Sequence, residues 1–155
     1  MTVSQTLAEL GITLPEVVPP VAAYIPAIVH GDLVFTSGQL PMVDGALPAT
    51  GKVGGEVAAE DAKAYAWQCG LNAIAAAAAV AGGVDRLAGV VKVVGFVAST
   101  PDFTGQPGVI NGASELFGEV FGEAGRHARS AVAAPVLPLD SPVEVEVIFS
   151  LALDR

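Results

Sequence analysis

Between Val143 and Val147, valine and glutamate alternate residue by residue. Successive side chains on a strand point to opposite faces. The pattern therefore predicts a half-buried β-strand with Val143, Val145 and Val147 on one side and Glu144, Glu146 and Ile148 on the other. Residues 90–97 are almost continuously apolar, which is how a central strand covered on both faces reads. Apolar stretches at 23–29 and 33–38 flank His30, Gly31 and Asp32, predicting two strands joined by a Gly-Asp turn. Pro26 then belongs at an edge or a bulge, because it has no N–H to give to a ladder. The segment Arg129-Ser130-Ala131-Val132 predicts a further strand.

Helical signals lie between these strands. Residues 56–82 predict one long helix, with Glu56, Glu60 and Asp61 in its first half and Gly82-Gly83 ending it. The alanines at 75–79 offer a flat surface that lets a helix approach a sheet closely. Residues 111–123 predict a second helix, broken by Gly125. At the start, 2–10 predicts a short helix ended by Gly11, then a connection through Pro15, Pro19 and Pro20 that reads as a surface extension. Residues 42–55, rich in Gly and Asp, predict a loop long enough to be a lid or a rim. The resulting order is β-β-α-β-α-β-β, an α+β domain with its helices on one face of a mixed sheet. Residues 1–21 form the expected extension and 22–155 the single domain.

Composition narrows the function classes. The chain has 155 residues, of which 52% are hydrophobic and 15% charged, enough apolar material for a real core and too much for a disordered segment. With a mean hydropathy of +0.60, it carries more apolar surface than a small monomer can hide, which predicts an oligomer. The formal charge of −9 argues against a nucleic-acid partner, since that affinity comes largely from Lys and Arg. A lone Cys69 cannot form an internal disulfide, and the opening Met1-Thr2-Val3-Ser4-Gln5 has no secretory pattern, so a cytoplasmic location is expected. Residues 64–84 carry no charge and approach a bilayer's thickness. Gln68, Gly70 and Asn72 interrupt them and alanine dominates their second half, so a buried amphipathic helix is expected and no membrane partner.

Candidate chemistry centres on Arg129 and Glu144. If the strand around Arg129 lies beside the strand of Glu144, joined through residues 137–142, a carboxylate-gripping cation and a proton-handling acid share a pocket. Alternating acids are also what a solvated edge-strand face looks like. Ser37-Gly38-Gln39 at a strand end offers a backbone N–H to a ligand or is simply a bulge or turn. Tyr24 either presents its hydroxyl to a ligand or is an ordinary amphipathic strand residue. His30 and His127 are expected to be solvated in turns, and no ligand spacing for a metal occurs. Cys69 reads as a small buried hydrophobe.

Taken in order, Tyr24, Thr36-Ser37-Gly38-Gln39-Leu40-Pro41, Asn111, Ala128-Arg129-Ser130, Leu137-Pro138 and Val143-Glu144-Val145-Glu146 resemble the RidA/YjgF family of reactive-intermediate deaminases. The resemblance runs from about residue 22 to the C terminus. It implies a chorismate-mutase-like α+β fold assembled as a homotrimer, with pockets between subunits that each draw residues from two chains. It also implies hydrolysis of 2-imino or enamine acids, of the 2-aminoacrylate type, to 2-keto acids and ammonia, without metal or cofactor. By position, Arg129 matches the family's carboxylate clamp and Glu144 its water-positioning acid, while Tyr24, Ser37, Gly38 and Asn111 match the substrate-binding wall. The alternative is a non-catalytic trimer that binds a small carboxylate metabolite, and a ribonuclease fits the charge least. Departures mark a divergent subgroup. Ala131 stands where active deaminases usually have cysteine, the 42–55 loop is expanded, residues 2–20 are additional, and the interval from Asn111 to Arg129 is about one residue longer than usual.

Overall fold

The computed structural model describes residues 1–17 and 22–154. Its elements in chain order are α1 (Val3–Glu9), β1 (Ala27–His30), β2 (Leu33–Thr36), α2 (Ala59–Ala81), β3 (Leu87–Ala98), α3 (Gln106–Phe121), β4 (Ala128–Ala134) and β5 (Val143–Leu151). The strands form one sheet in the order β1-β2-β5-β3-β4. Only the β3–β4 pair is parallel, so the sheet is mixed as the sequence predicts. The parallel pair follows from its connection, because α3 carries the chain back along the sheet before β4 begins.

Both long helices cover one face. Val93, Val97, Val143, Val145, Val147 and Phe149 are buried on that side, against Ile74 of α2 and Ile110, Leu116 and Phe117 of α3. The two helices cross very closely. A Cβ on Gly112 would collide with the backbone oxygen of Lys63, so no larger residue fits there. Most of the uncharged stretch that passes for a membrane span belongs to α2, whose Ala62, Ala66, Cys69 and Ala73 to Ala78 are buried. It is a core helix. Its αL end at Gly82, with φ of 90°, stops it where the glycine pair predicts.

The opposite face of the sheet has no helix over it. Residues paired across neighbouring strands share a face, and Ile28, Phe35, Ile148 and Lys92 form one such row. Phe96, Glu144 and Val132 form another. Ile28, Phe35 and Val132 are exposed. The apolar surplus read from composition therefore has a definite place.

Three expectations need correction. The strand of Arg129 is not beside that of Glu144, because β4 pairs with β3 at the sheet's edge and β5 lies on the far side of β3. The link that joins them contains Pro135, Pro138 and Pro142 and passes over the end of β3 instead of turning as a tight hairpin. The N-terminal segment is docked, not merely laid on the surface. Leu7 is buried in the core, and Asp85 accepts from the Ser4 backbone N–H and hydroxyl at 2.7 Å each, which holds its carboxyl below the ordinary range. Pro19 and Pro20 of the proline-rich connection lie outside the described residues. Finally, the first strand is shorter than predicted, starting at Ala27 directly after Pro26, and Tyr24 precedes it.

The 42–55 loop is pinned along its second half. Val53 is buried and its N–H donates to Ala98 O at 2.8 Å, while Lys52 forms an ion pair with Asp140 on the β4–β5 link. These contacts help hold Leu139 and Asp140 at positive φ, a conformation that non-glycine residues rarely adopt. The second half of the segment is thus held against the end of β3 and the β4–β5 link.

Candidate functional site

Arg129 and Glu144 lie on opposite faces of the sheet. Arg129 is in register with Val93, which pairs with Val147, so its side chain leaves on the helix face at the edge strand. Glu144 is in register with Phe96 on the open face. The candidate residues of one chain therefore fall into two separate groups, one on each face.

The first is built by β4 and α3. Arg129 Nη1 donates to Asn111 Oδ1 at 2.8 Å and to Ser114 Oγ at 3.1 Å, and Nη2 donates to Pro107 O at 3.3 Å. Pro107, Asn111 and Ser114 occupy one face of α3 because their spacings of four and three residues follow the helical period. The helix begins at Gln106, earlier than its pattern shows, and Pro107 fits in its first turn because no intrahelical N–H is needed there. A guanidinium has five N–H donors. Three are taken, and Nε–H and one Nη2–H have no acceptor among the described residues. Among the described residues Arg129 has no carboxylate partner.

The second group sits where β2 ends against β5. Ser37 N–H donates to Pro26 O at 2.7 Å and Gln39 N–H to Val145 O at 2.8 Å, so the backbone on either side of Gly38 is fixed. The Gly38 N–H between them has no acceptor among the described residues and lies exposed. Glu144 runs directly past it, since a Cβ on Gly38 would sit 2.8 Å from Glu144 Cδ. Burial pushes the Glu144 carboxyl up from its ordinary value, and the like charge of Glu146 on the same face adds to this. No cation pairs with it among the described residues. Tyr24 is exposed nearby in sequence, and the Ser37 hydroxyl donates to Ile25 O at 2.7 Å, which ties the Tyr24 segment to the end of β2. Ser37 is thus a strut whose hydroxyl is already engaged.

Six sequence-derived residues accordingly fall into two groups, Arg129 with Asn111 and Glu144 with Gly38, Ser37 and Tyr24. Neither group is enclosed. Depressions of about 370 and 360 Å³ occur elsewhere, one lined by Met1, Val3 and Glu119, the other by Lys63, Trp67 and Glu115. Neither contains Arg129 or Glu144. Among the described residues no three of His, Cys, Asp or Glu converge as metal ligands.

Sequence reasoning missed Ser114 and misjudged His127. The histidine is partly buried, with Nε2 2.9 Å from Ser114 Oγ and Nδ1 2.6 Å from Gly125 O, and its ring meets Phe117 edge-on. The available signals were His127 two residues before Arg129, on the same strand face, and Ser114 three residues after Asn111.

A profile of the family described as "YjgF/chorismate mutase-like, putative endoribonuclease" matches residues 4–151. The chain belongs to the YjgF/RidA family. The family match takes in α1 as well as the whole sheet. The chain is 40% identical to protein TCP17 of Trypanosoma cruzi over 96% of its own length and 94% of that protein's. Its fold is similar to that of Atu1372 from Agrobacterium tumefaciens, with a TM-score of 0.87 and 42% identity, covering 97% of this chain and 94% of that one. It is also similar to Escherichia coli TdcF, solved with bound serine, with a TM-score of 0.62 and 26% identity over 86% of this chain and 92% of that one. This YjgF/RidA chain has the chorismate-mutase-like arrangement of mixed sheet and helices.

Proposed function

We propose that this YjgF/RidA protein hydrolyses reactive 2-imino or enamine acids to 2-keto acids and ammonia, in clefts formed between the subunits of a homotrimer. The observation that carries the reading is the division of the site. Arg129 and Glu144 stand on opposite faces of one sheet, each lacking an ionic partner among the described residues, so a common pocket requires two chains. The uncovered row of Ile28, Phe35 and Ile148 supplies apolar area for that association. Serine bound to the related TdcF supports an amino-acid-sized ligand with a carboxylate.

In the mechanism, the free Nε–H and Nη2–H of Arg129 grip the substrate carboxylate, and the unpaired Gly38 N–H of the neighbouring subunit helps orient it. This holds the planar imine carbon toward a water beside Glu144. Glu144 accepts a proton as the water oxygen bonds to carbon, giving a carbinolamine. Starting from the protonated imine, it returns that proton to the carbinolamine nitrogen. As the C–N bond breaks, the hydroxyl gives its own proton to the Glu144 carboxylate, so that the C=O of the keto acid forms and ammonia leaves, taking that proton as ammonium. The step consumes one water and needs no cofactor.

An amino-acid oxidase that generates imines from several amino acids supplies the test. Imine loss should exceed the uncatalysed rate for at least one of them. Keto-acid binding without any acceleration would leave the rival, a trimer that only binds a carboxylate metabolite. The charge of −9 disfavours the ribonuclease activity named in the family description.

Two predictions accompany the proposal. Light scattering at micromolar protein should give about three times the 15.5 kDa chain mass, and a monomer would remove the shared cleft. Gly38→Ala should keep the circular dichroism of the parent while reducing turnover by on the order of tenfold, because the new methyl pushes the flexible Glu144 side chain aside. Unchanged turnover would show that Glu144 need not lie across Gly38.

A further inference from the structure

The hydrogen-bond partners around Arg129 fix one another's proton positions. Gly125 O can only accept, so the 2.6 Å contact makes His127 Nδ1 a donor. Arg129 can only donate, so Ser114 Oγ accepts from Nη1 at 3.1 Å. In the neutral imidazole Nε2 is then an acceptor, and the 2.9 Å contact is made by the Ser114 hydroxyl donating to His127 Nε2. The anchor is rigid. Gly125 is buried against the end of α3, where a Cβ would strike the Phe117 carbonyl oxygen, and the Phe117 ring meets the imidazole edge-on with centroids 5.9 Å apart.

We infer that His127, acting through Ser114, is the positioning residue that sets the rotation of the Arg129 guanidinium and so decides which donors face the substrate carboxylate. Asn111 and Pro107 hold the guanidinium at Nη1 and Nη2 from the helix, the latter through a long and exposed 3.3 Å contact, so the Ser114 hydroxyl is the second short-range constraint on its rotation. The Ser114–His127 pair ties it to a point on the β4 side of the helix. With the ring in place, Nε–H and one Nη2–H remain presented together. Without it, the Ser114 hydroxyl is free to turn and Nη1 loses a fixed acceptor. The claim rests on the carboxylate-clamp reading of Arg129 for its consequence, though not for its geometry.

The experiment separates the two. Nitrogen-15 NMR of the arginine side chains, with Arg129 assigned from Arg129→Lys, reads guanidinium rotation whether or not the protein is an enzyme. The wild type should show slow rotation with separate Nη signals. His127→Leu and Ser114→Ala should merge them, while His127→Gln, which restores an acceptor near the Nε2 position, should keep them apart. In the imine assay, His127→Leu should raise KM about tenfold with kcat changed by less than about threefold, since a loosened carboxylate grip weakens ground and transition states alike. The dissociation constant for pyruvate should rise in parallel, and His127→Gln should restore both. Ser114→Ala guards against a folding defect in the leucine variant, because it removes the same link with a smaller change. Arg129 signals unaltered in both variants would overturn the inference. If the wild type neither binds pyruvate nor hydrolyses imines, the functional reading fails and the rotation measurement still decides the positioning claim.

Discussion

Arg129→Lys is expected to lower kcat/KM for imine hydrolysis by on the order of a hundredfold while leaving the fold intact. Lysine keeps the positive charge, so a mild effect would follow if charge alone held the substrate. The structure gives the guanidinium a more demanding task. It bonds Asn111, Ser114 and Pro107 O at once and still has Nε–H and one Nη2–H available. An ammonium has three donors on a single atom and cannot face helix and ligand with a fixed planar edge. The carboxylate of the imine would bind loosely, and the carbon to be attacked would drift from the water. Arg129→Ala should be at least as damaging. Pyruvate titration alongside the kinetics locates the defect, with binding and turnover both weakened. Full activity in the lysine variant would show that the carboxylate is held by other groups.

Much of this architecture was legible because burial imposes a period. The alternation at 143–147 identifies β5 and its acidic face correctly, since one side of that strand lies under the helices and the other does not. The near-continuous apolar run in β3 marks a strand flanked on both edges, but the cover it predicts on both faces is found on the helix face only, and Val91 is exposed. Strand adjacency was not legible in the same way. Neighbours in sequence usually pair, but here β3 takes β4 on one edge and β5 on the other, which puts Arg129 on the helix face and Glu144 on the open one. The start of α3 lies ahead of the expected 111–123 because Pro107 and Gly108 are poor helix formers by propensity, although proline is well placed in a first turn. Ser114 and His127 were hidden for another reason. Their roles come from a bond between α3 and the start of β4, and a hydroxyl on a helix has no periodic signature. The N-terminal helix was judged a surface extension because proline follows it, yet Leu7 is buried in the core, Val3, Ile12 and Leu14 pack against it, and Asp85 caps the helix start.

Glu144→Gln carries the second large effect and tests the chemistry itself. The amide keeps the size of the side chain and some hydrogen bonding, but it cannot take a proton from water, so turnover should fall by about 10²–10⁴-fold. Pyruvate should still bind, because the carboxylate clamp is elsewhere. Glu146→Gln is the control, since Glu146 shares the face but is exposed and two residues away from the Gly38 contact. Its loss should be mild. The pH dependence adds a signed check. Burial and Glu146 raise the Glu144 carboxyl above its ordinary 4.5, so the acid limb of kcat/KM should fall at a higher pH than a free glutamate would give and should vanish in Glu144→Gln. An Arg129 guanidinium arriving from a neighbouring subunit would draw that limb back toward the ordinary range. Stability should move in the matching direction. A raised folded-state value means that the folded chain binds more protons than the unfolded one between 4.5 and that raised value, so this group's contribution to stability falls as pH rises through the window. At neutral pH the glutamine variant should therefore melt no lower than the wild type, and its relative advantage should shrink as pH falls from the raised value toward 4.5, with no further change below that. A variant that is well folded, binds pyruvate and turns over imine like the parent would remove Glu144 as the base and leave water activation to another group.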